Sequence, residues 1–437
     1  MSNDAMEVKT STSPGIKYQA WLNWALGAAF VVFVFTFQTG YAITNLDMTN
    51  KLALTVTQVG LIGSIYTWAF AIAQFSSGAI LDKLGMRWVI PIACAVVTLG
   101  GFTFANANGM PMLITGQVLM AIGGSFGFVG AGFIGGKWFG AAKYGLMFAW
   151  VQFVASLAAV IGQNTLGGLA QQFSWDQLLN GLAFLGLIIT LLLFVLMRSP
   201  KENDEADKWQ GLAPFTKDLV QKINEVSSIS DSWINALIGG ATFGSMLALG
   251  VVWGPRFLAA GGMEQSDAFS VSAMMWFGLA FGAPLFAWVS DKLKKRKLPM
   301  ATGCFLQLVA IIYIISNPSM SVQGASIAFF IWGFMSAGSM LNFPIGAELV
   351  KPSLIGTSAA VVNAVQFIIG GIIMAIPGQV LSGSGPIARI TNISPGQLNI
   401  EPTISDYQWA LAVIPLALVA ALILFAFLQE TYKEQDV

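Results

Sequence analysis

Gly78-Ala79-Ile80-Leu81-Asp82-Lys83-Leu84-Gly85-Met86-Arg87 ends one long apolar segment and begins the next. Its Asp82-Lys83-Leu84 core returns as Asp291-Lys292-Leu293, again at the end of an apolar segment. In both copies an arginine, Arg87 or Arg296, follows five residues after the aspartate. Two copies of one short charged turn, half a chain apart among helix-length apolar runs, imply two related membrane halves. Matched halves enclose a cavity that can open to either side of the membrane in turn. The expectation is a carrier.

The surrounding composition agrees. The chain of 437 residues is 56% hydrophobic and 10% charged, too little polar surface for a water-soluble protein of this length. It contains no histidine, which excludes imidazole ligation, a Ser-His-Asp triad and a histidine proton relay. The two cysteines, Cys94 and Cys304, each fall early in the segment after a copy of the turn and read as packing residues. Neither a metal site nor a cofactor is expected. The first 19 residues are polar and lack the pattern of a cleavable signal.

Runs of about 20 apolar residues, enough to cross a bilayer, lie at 20–45, 57–81, 88–107, 111–138, 143–170 and 175–198, then at 232–258, 266–290, 298–317, 322–349, 354–381 and 406–429. This predicts an all-α integral membrane protein with twelve transmembrane helices in two six-helix halves. The divisions are a tail at 1–19, a first half at 20–198, a linker at 199–230, a second half at 231–430 and a tail at 431–437. Within the linker, 217–225 reads as a short interfacial helix, and 383–405 is a proline-bearing loop. With both termini in the cytoplasm, all but Lys51, Arg256 and Arg389 of the 21 lysines and arginines lie on the inner side, which fixes the orientation. The basic run at 292–297 then reads as a loop retained inside, not as a nucleic-acid patch. Glycines crowd the fourth segment, including Gly123, Gly124, Gly127 and Gly130, where small residues let helices approach closely. Static packing and a sliding surface are both compatible with them.

The ten-residue turn resembles the signature of the major facilitator superfamily, which joins the second and third helices. Its degenerate second copy falls between the eighth and ninth, where that family carries it. The resemblance covers essentially the whole chain and implies that family's fold, with inverted repeats. It also implies a cytoplasmic gate built from Gly78, Asp82, Lys83, Gly85 and Arg87 with Asp291, Arg296 and Glu348. Gly78 would allow close helix contact, Gly85 a tight turn, and Asp82 would face the positive end of a helix in the opposite half. The fourth segment reads Gly116-Gln117-Val118, without the arginine of many proton-coupled relatives. The fifth reads Val160-Ile161-Gly162-Gln163, without the Gly-Pro pair of drug antiporters. The tract from Glu348 to Thr357 with Asn363, and Trp253-Gly254-Pro255-Arg256-Phe257-Leu258, are similar to bacterial phagosomal nutrient transporters and the lysosomal dipeptide transporter group. The family default is a monomer in a cytoplasmic membrane.

Ionisable residues are nearly absent from the helix middles, and an intramembrane charge is a functional candidate by default. Arg256 is the candidate clamp for a carboxylate or phosphate, with an interfacial arginine reaching to headgroups as the alternative. Neutral polar residues supply the other substrate-binding candidates: Gln38, Tyr41, Tyr66, Gln152, Asn342, Asn363 and Gln366. Val151-Gln152-Phe153 recurs as Val365-Gln366-Phe367, placing two amides at matching depths in the halves. The function expected is secondary transport of a small polar metabolite (an amino acid, short peptide or small organic acid), with proton coupling through Asp47, Glu348 or a rim group left open. A facilitative uniporter, an anion exchanger and a non-transporting sensor are the alternatives. An ATP-driven pump has no Walker loop to use here, and an enzyme would need clustered acids, His or Cys.

Overall fold

The computed structural model describes residues 14–139, 144–199, 211–351, 354–383 and 402–432; the side chains of Asp82 and Lys83, and residues 384–401 of the proline-bearing loop, lie outside the description. All regular structure among the described residues is helical. The helices are α1 (Pro14–Lys51), α2 (Val56–Leu84), α3 (Met86–Ala105), α4 (Met110–Phe139), α5 (Tyr144–Leu169), α6 (Trp175–Leu196) and α7 (Leu212–Ser227). Then come α8 (Ser230–Ala260), α9 (Gln265–Leu293), α10 (Lys297–Ser316), α11 (Val322–Glu348), α12 (Ile355–Leu381) and α13 (Ile404–Leu424). Eleven of these contain spans long and apolar enough to cross a membrane, and the 26-residue α5 fills the fifth place in the order. The linker helix α7 is longer than the 217–225 expected.

Local chemistry sets the ends. Thr55 and Gln58 form a capping box at the start of α2, as do Ser174 and Gln177 on α6 and Thr403 and Asp406 on α13. Gly85 separates α2 from α3 at φ 71, ψ 164, a region in which a side chain is strained. Three residues after the second aspartate, Lys294 also takes a positive φ of 52, so the repeated turn bends the chain at the same register in both copies. Gly85→Ala is expected to lower stability by about 1–3 kcal/mol, read as a lower unfolding temperature in detergent. An unchanged temperature would mean the turn relaxes at no cost.

Two segments are not uniform helices, and proline explains both. α8 changes to a π-helical turn at Leu249–Trp253, and α11 to a 3-10 turn at Ala337–Leu341. Pro255 and Pro344 lie just beyond these turns and cannot donate to the carbonyl one α-helical turn back.

Helices α1–α6 pack on one another, chiefly α3 and α2 on α4, α3 on α6, and α1 on α5; α8–α13 form a second group around α9–α11 and α8–α12. The α4 glycines serve packing inside the first group: a Cβ on Gly123 would lie 2.4 Å from the Ala93 carbonyl oxygen of α3. The groups meet along two long seams, α2 with α12 and α5 with α9, and along α1 with the π-turn of α8.

Candidate functional site

Between the two groups lies a narrow cavity. Amides from both sides line it: Gln38 of α1 and Gln152 of α5 face Asn363 and Gln366 of α12, among the rings of Phe70, Phe243, Phe343 and Phe367. The repeated tripeptides thus deliver Gln152 and Gln366 to one space. A second, equally narrow cavity shares Gln38 and gathers Tyr41, Tyr66, Thr67 and Gln117. Among the described residues, no Asp, Glu, Lys or Arg lines either cavity.

The amides differ in what they have left to offer. Gln152 Nε2 donates to Ser156 Oγ at 2.9 Å. Asn363 Nδ2 donates to Gln74 Oε1 at 3.2 Å, joining α12 to α2. Neither Gln38 Nε2 nor either polar atom of Gln366 has a partner. Tyr41 spends its hydroxyl on the Val59 carbonyl at 2.7 Å, and the Tyr66 ring stacks on Phe70.

Two of the expected substrate-binding residues do not line these cavities. Asn342 is fully buried and donates to the Asn235 backbone and side-chain oxygens, both at 2.7 Å, while Asn235 Nδ2 returns a bond to the Asn342 carbonyl. Arg256 sits on the face opposite the charged turns. Its Nε donates to Asn45 Oδ1 at 2.7 Å, and its Nη2 to Thr49 Oγ1 at 3.1 Å and the Asn45 carbonyl at 3.4 Å. The guanidinium therefore bridges α8 to α1 across the seam.

Just before Arg256, the π-turn creates a backbone problem that α5 solves. In the π register Gly254 N–H bonds the Leu249 carbonyl. The Gly250 carbonyl would next be met by Pro255, which has no hydrogen to give. Gln163 Nε2 reaches across the seam and donates to it at 3.2 Å. Gln163 was not among the expected site residues; a mid-helix amide in α5 was the available signal.

The seam bonds run from the Arg256 face toward the centre. Thr57 Oγ1 donates to the Gly378 carbonyl at 3.4 Å, Ser64 Oγ to Gly371 at 2.9 Å and Trp68 Nε1 to Ile368 at 3.3 Å. Gln74 to Asn363 is the bond nearest the charged turns among the described residues.

At the turn face the second copy of the motif forms a network inside its own group. Arg296 binds Asp291 at 2.6 Å and Glu348 at 3.0 Å, and Thr431 Oγ1 donates to Glu348 at 2.8 Å. Glu430 accepts from the backbone N–H groups of Arg296 and Lys297. Burial works against the Arg296 charge, but hydrogen bonds and charge from Glu348 and Asp291 more than offset it and hold its pKa above the ordinary value. Glu348→Ala would leave Asp291 to hold this cation and remove the two hydrogen bonds it makes to Glu348, at an expected cost of about 1.5–3 kcal/mol; a thermal melt equal to that of the parent protein would refute it. Of the first copy, Arg87 stacks on the Trp88 ring at 4.6 Å. The close contact expected at Gly78 is not made: a Cβ there would meet nothing within 4 Å.

The sequence profile described as Major Facilitator Superfamily matches residues 25–375. The chain is 21% identical to "Uncharacterized transporter YybO" of Bacillus subtilis (strain 168), covering 75% of this chain and 79% of that one. It is 22% identical to "Probable galactarate/D-glucarate transporter GudP" of Escherichia coli (strain K12), covering 83% and 87%. Among solved structures it is similar to a bacterial homolog of the human lysosomal transporter Spinster in an inward-facing, occupied conformation. The TM-score is 0.74 at 16% identity, covering 95% of this chain and 97% of that one.

Proposed function

We propose that this chain, which belongs to the Major Facilitator Superfamily, carries a small polar metabolite without net charge, an amino acid or short peptide, by alternating access. It is a multi-pass membrane transporter; the substrate is the proposed part. The observation that carries the reading is the central cavity walled by amides from both helix groups, with no formally charged residue among the described residues of its lining. An amide both donates and accepts, so such walls can hydrogen-bond the donor and acceptor groups of a polar solute without an ionised side chain.

In this reading the groups 20–198 and 231–430 rock about the cavity, and 199–230 links them. Seam bonds at the Arg256 face and in the centre support a conformation closed on that face, with the turn face, the cytoplasmic one by its basic residues, as the route of access. Gly78 and Asp82 would then make their cross-group contacts in the opposite state, which accounts for the free space around Gly78. Asp82→Asn is expected to slow turnover several-fold while leaving substrate binding largely intact; equal loss of both would argue against a gate at this turn.

The test is thermal stabilisation of the purified protein by amino acids, dipeptides, organic acids, nucleosides and sugars, followed by uptake into proteoliposomes with and without an uncoupler. Stabilisation by amino acids or dipeptides, weakened in Gln152→Ala, supports the reading. Abolition of uptake by the uncoupler would add proton coupling. A second reading, a small organic acid, is favoured by Arg256 and by the naming of the Escherichia coli relative; it requires substrate to draw Arg256 away from Asn45 and Thr49.

A further inference from the structure

Gln366 is fully buried on the wall of the central cavity, and neither its Oε1 nor its Nε2 has a partner. The other two α5 and α12 amides there, Gln152 and Asn363, already donate within the protein. A buried amide left unpaired at both atoms carries an uncompensated desolvation cost, and buried polar groups as a rule find partners. We propose that the partner is the substrate, and that Gln366 selects a carboxamide or lactam over the matching carboxylate.

The chemistry follows from the edge that Gln366 presents. A primary amide offers an acceptor and a donor side by side in one plane, and a second carboxamide, or a lactam with its N–H and C=O on one edge, meets it with two parallel hydrogen bonds. A carboxylate has only acceptors: one oxygen can take the Nε2 hydrogen, while the other faces Oε1 and is repelled. Among the described residues, no lysine or arginine lines the cavity to offset that charge.

The setting is also arranged around this amide. A Cβ on Gly239 would stand 2.7 Å from Gln366 Nε2 and 2.9 Å from Asn342 Oδ1, so the bare glycine leaves the room both occupy. Asn342 Oδ1 has no partner either, and its orientation is fixed because Nδ2 donates twice to Asn235. The rings of Phe70 and Phe367, 4.3 Å apart, with Phe243 and Phe343, suit an apolar or aromatic body attached to the amide.

This rests on the transport reading above, and the test separates the two. The full-length protein in detergent is challenged with matched pairs: nicotinamide and nicotinate, glutamine and glutamate, N-acetylphenylalanine amide and N-acetylphenylalanine. At least one amide should raise the unfolding temperature while its acid partner does so at least tenfold more weakly in concentration. Gln366→Met should erase the difference, and its unliganded unfolding temperature should equal or exceed that of the parent protein, since an unpaired buried amide has been removed. Should Gln366→Met fail to fold, Gly239→Ala carries the test by crowding Nε2, and it should weaken the amide at least tenfold. Acids binding as well as amides, a preference that survives Gln366→Met or Gly239→Ala, or a Gln366→Met protein that folds but melts several degrees lower would overturn the proposal. If no amide binds while another solute shows saturable uptake into proteoliposomes, the proposal fails and the transport reading stands. If no solute is taken up, both fail.

Discussion

Arg256→Ala is expected to shift the protein toward conformations open on the Arg256 face by about ten- to a hundredfold. The guanidinium makes three donor contacts to α1, at Asn45 and Thr49. A hydrogen bond from a charged group contributes about 1.5–3 kcal/mol, and a two-state equilibrium responds by the corresponding factor. The effect should be large because the segment carrying Arg256 is held to the first group by few polar contacts. The π-turn before it leaves the Gly250 carbonyl to Gln163 of the first group. Gln163→Leu should act in the same direction by stranding that carbonyl. Spin labels at Gln172→Cys and Glu264→Cys would report the separation, since the native Cys94 and Cys304 are buried. A distance distribution unchanged by Arg256→Ala would remove this contact as a latch.

Gly333→Val is expected to cost about 3 kcal/mol or more, enough to reduce the yield of monodisperse protein sharply. A Cβ at Gly333 would lie 2.0 Å from the Met275 carbonyl oxygen, and one at Gly278 would lie 2.2 Å from that of Phe330. Helices α9 and α11 therefore cross through glycine on both sides, backbone against backbone. Overpacking usually costs about 1–3 kcal/mol when side chains can give way; here the obstacle is main chain, and the helices must separate. Gly168→Val, where a Cβ meets nothing within 4 Å, is the control. Equal unfolding temperatures for the two variants would mean that the crossing is looser than drawn.

The membrane class and the helix order were legible because lipid requires each span to satisfy its own backbone within one stretch of chain. The repeated Asp-Lys-Leu turn was legible because both copies bend at one register, at Gly85 and Lys294. Gln38, Gln152, Asn363 and Gln366 could be singled out because an amide in the middle of an apolar helix needs a partner. Arg256 and Asn342 could not be placed in this way. An arginine near a helix end reads alike whether it grips a solute or a neighbouring helix. Asn342 spends its donors on Asn235, 107 residues away in sequence, a pairing that no local pattern announces.

What the sequence by itself determined is thus the set of elements and the chemistry available on them: apolar spans, a repeated charged turn, and amides in place of buried charges. The tertiary structure alone decided which of those amides meet. Composition and periodicity act within one helix, whereas the partner of Gly250, Asn342 or Arg256 is chosen by the angle and register at which a distant helix crosses. A displacement of one residue along such a crossing would exchange a cavity wall for a packed seam.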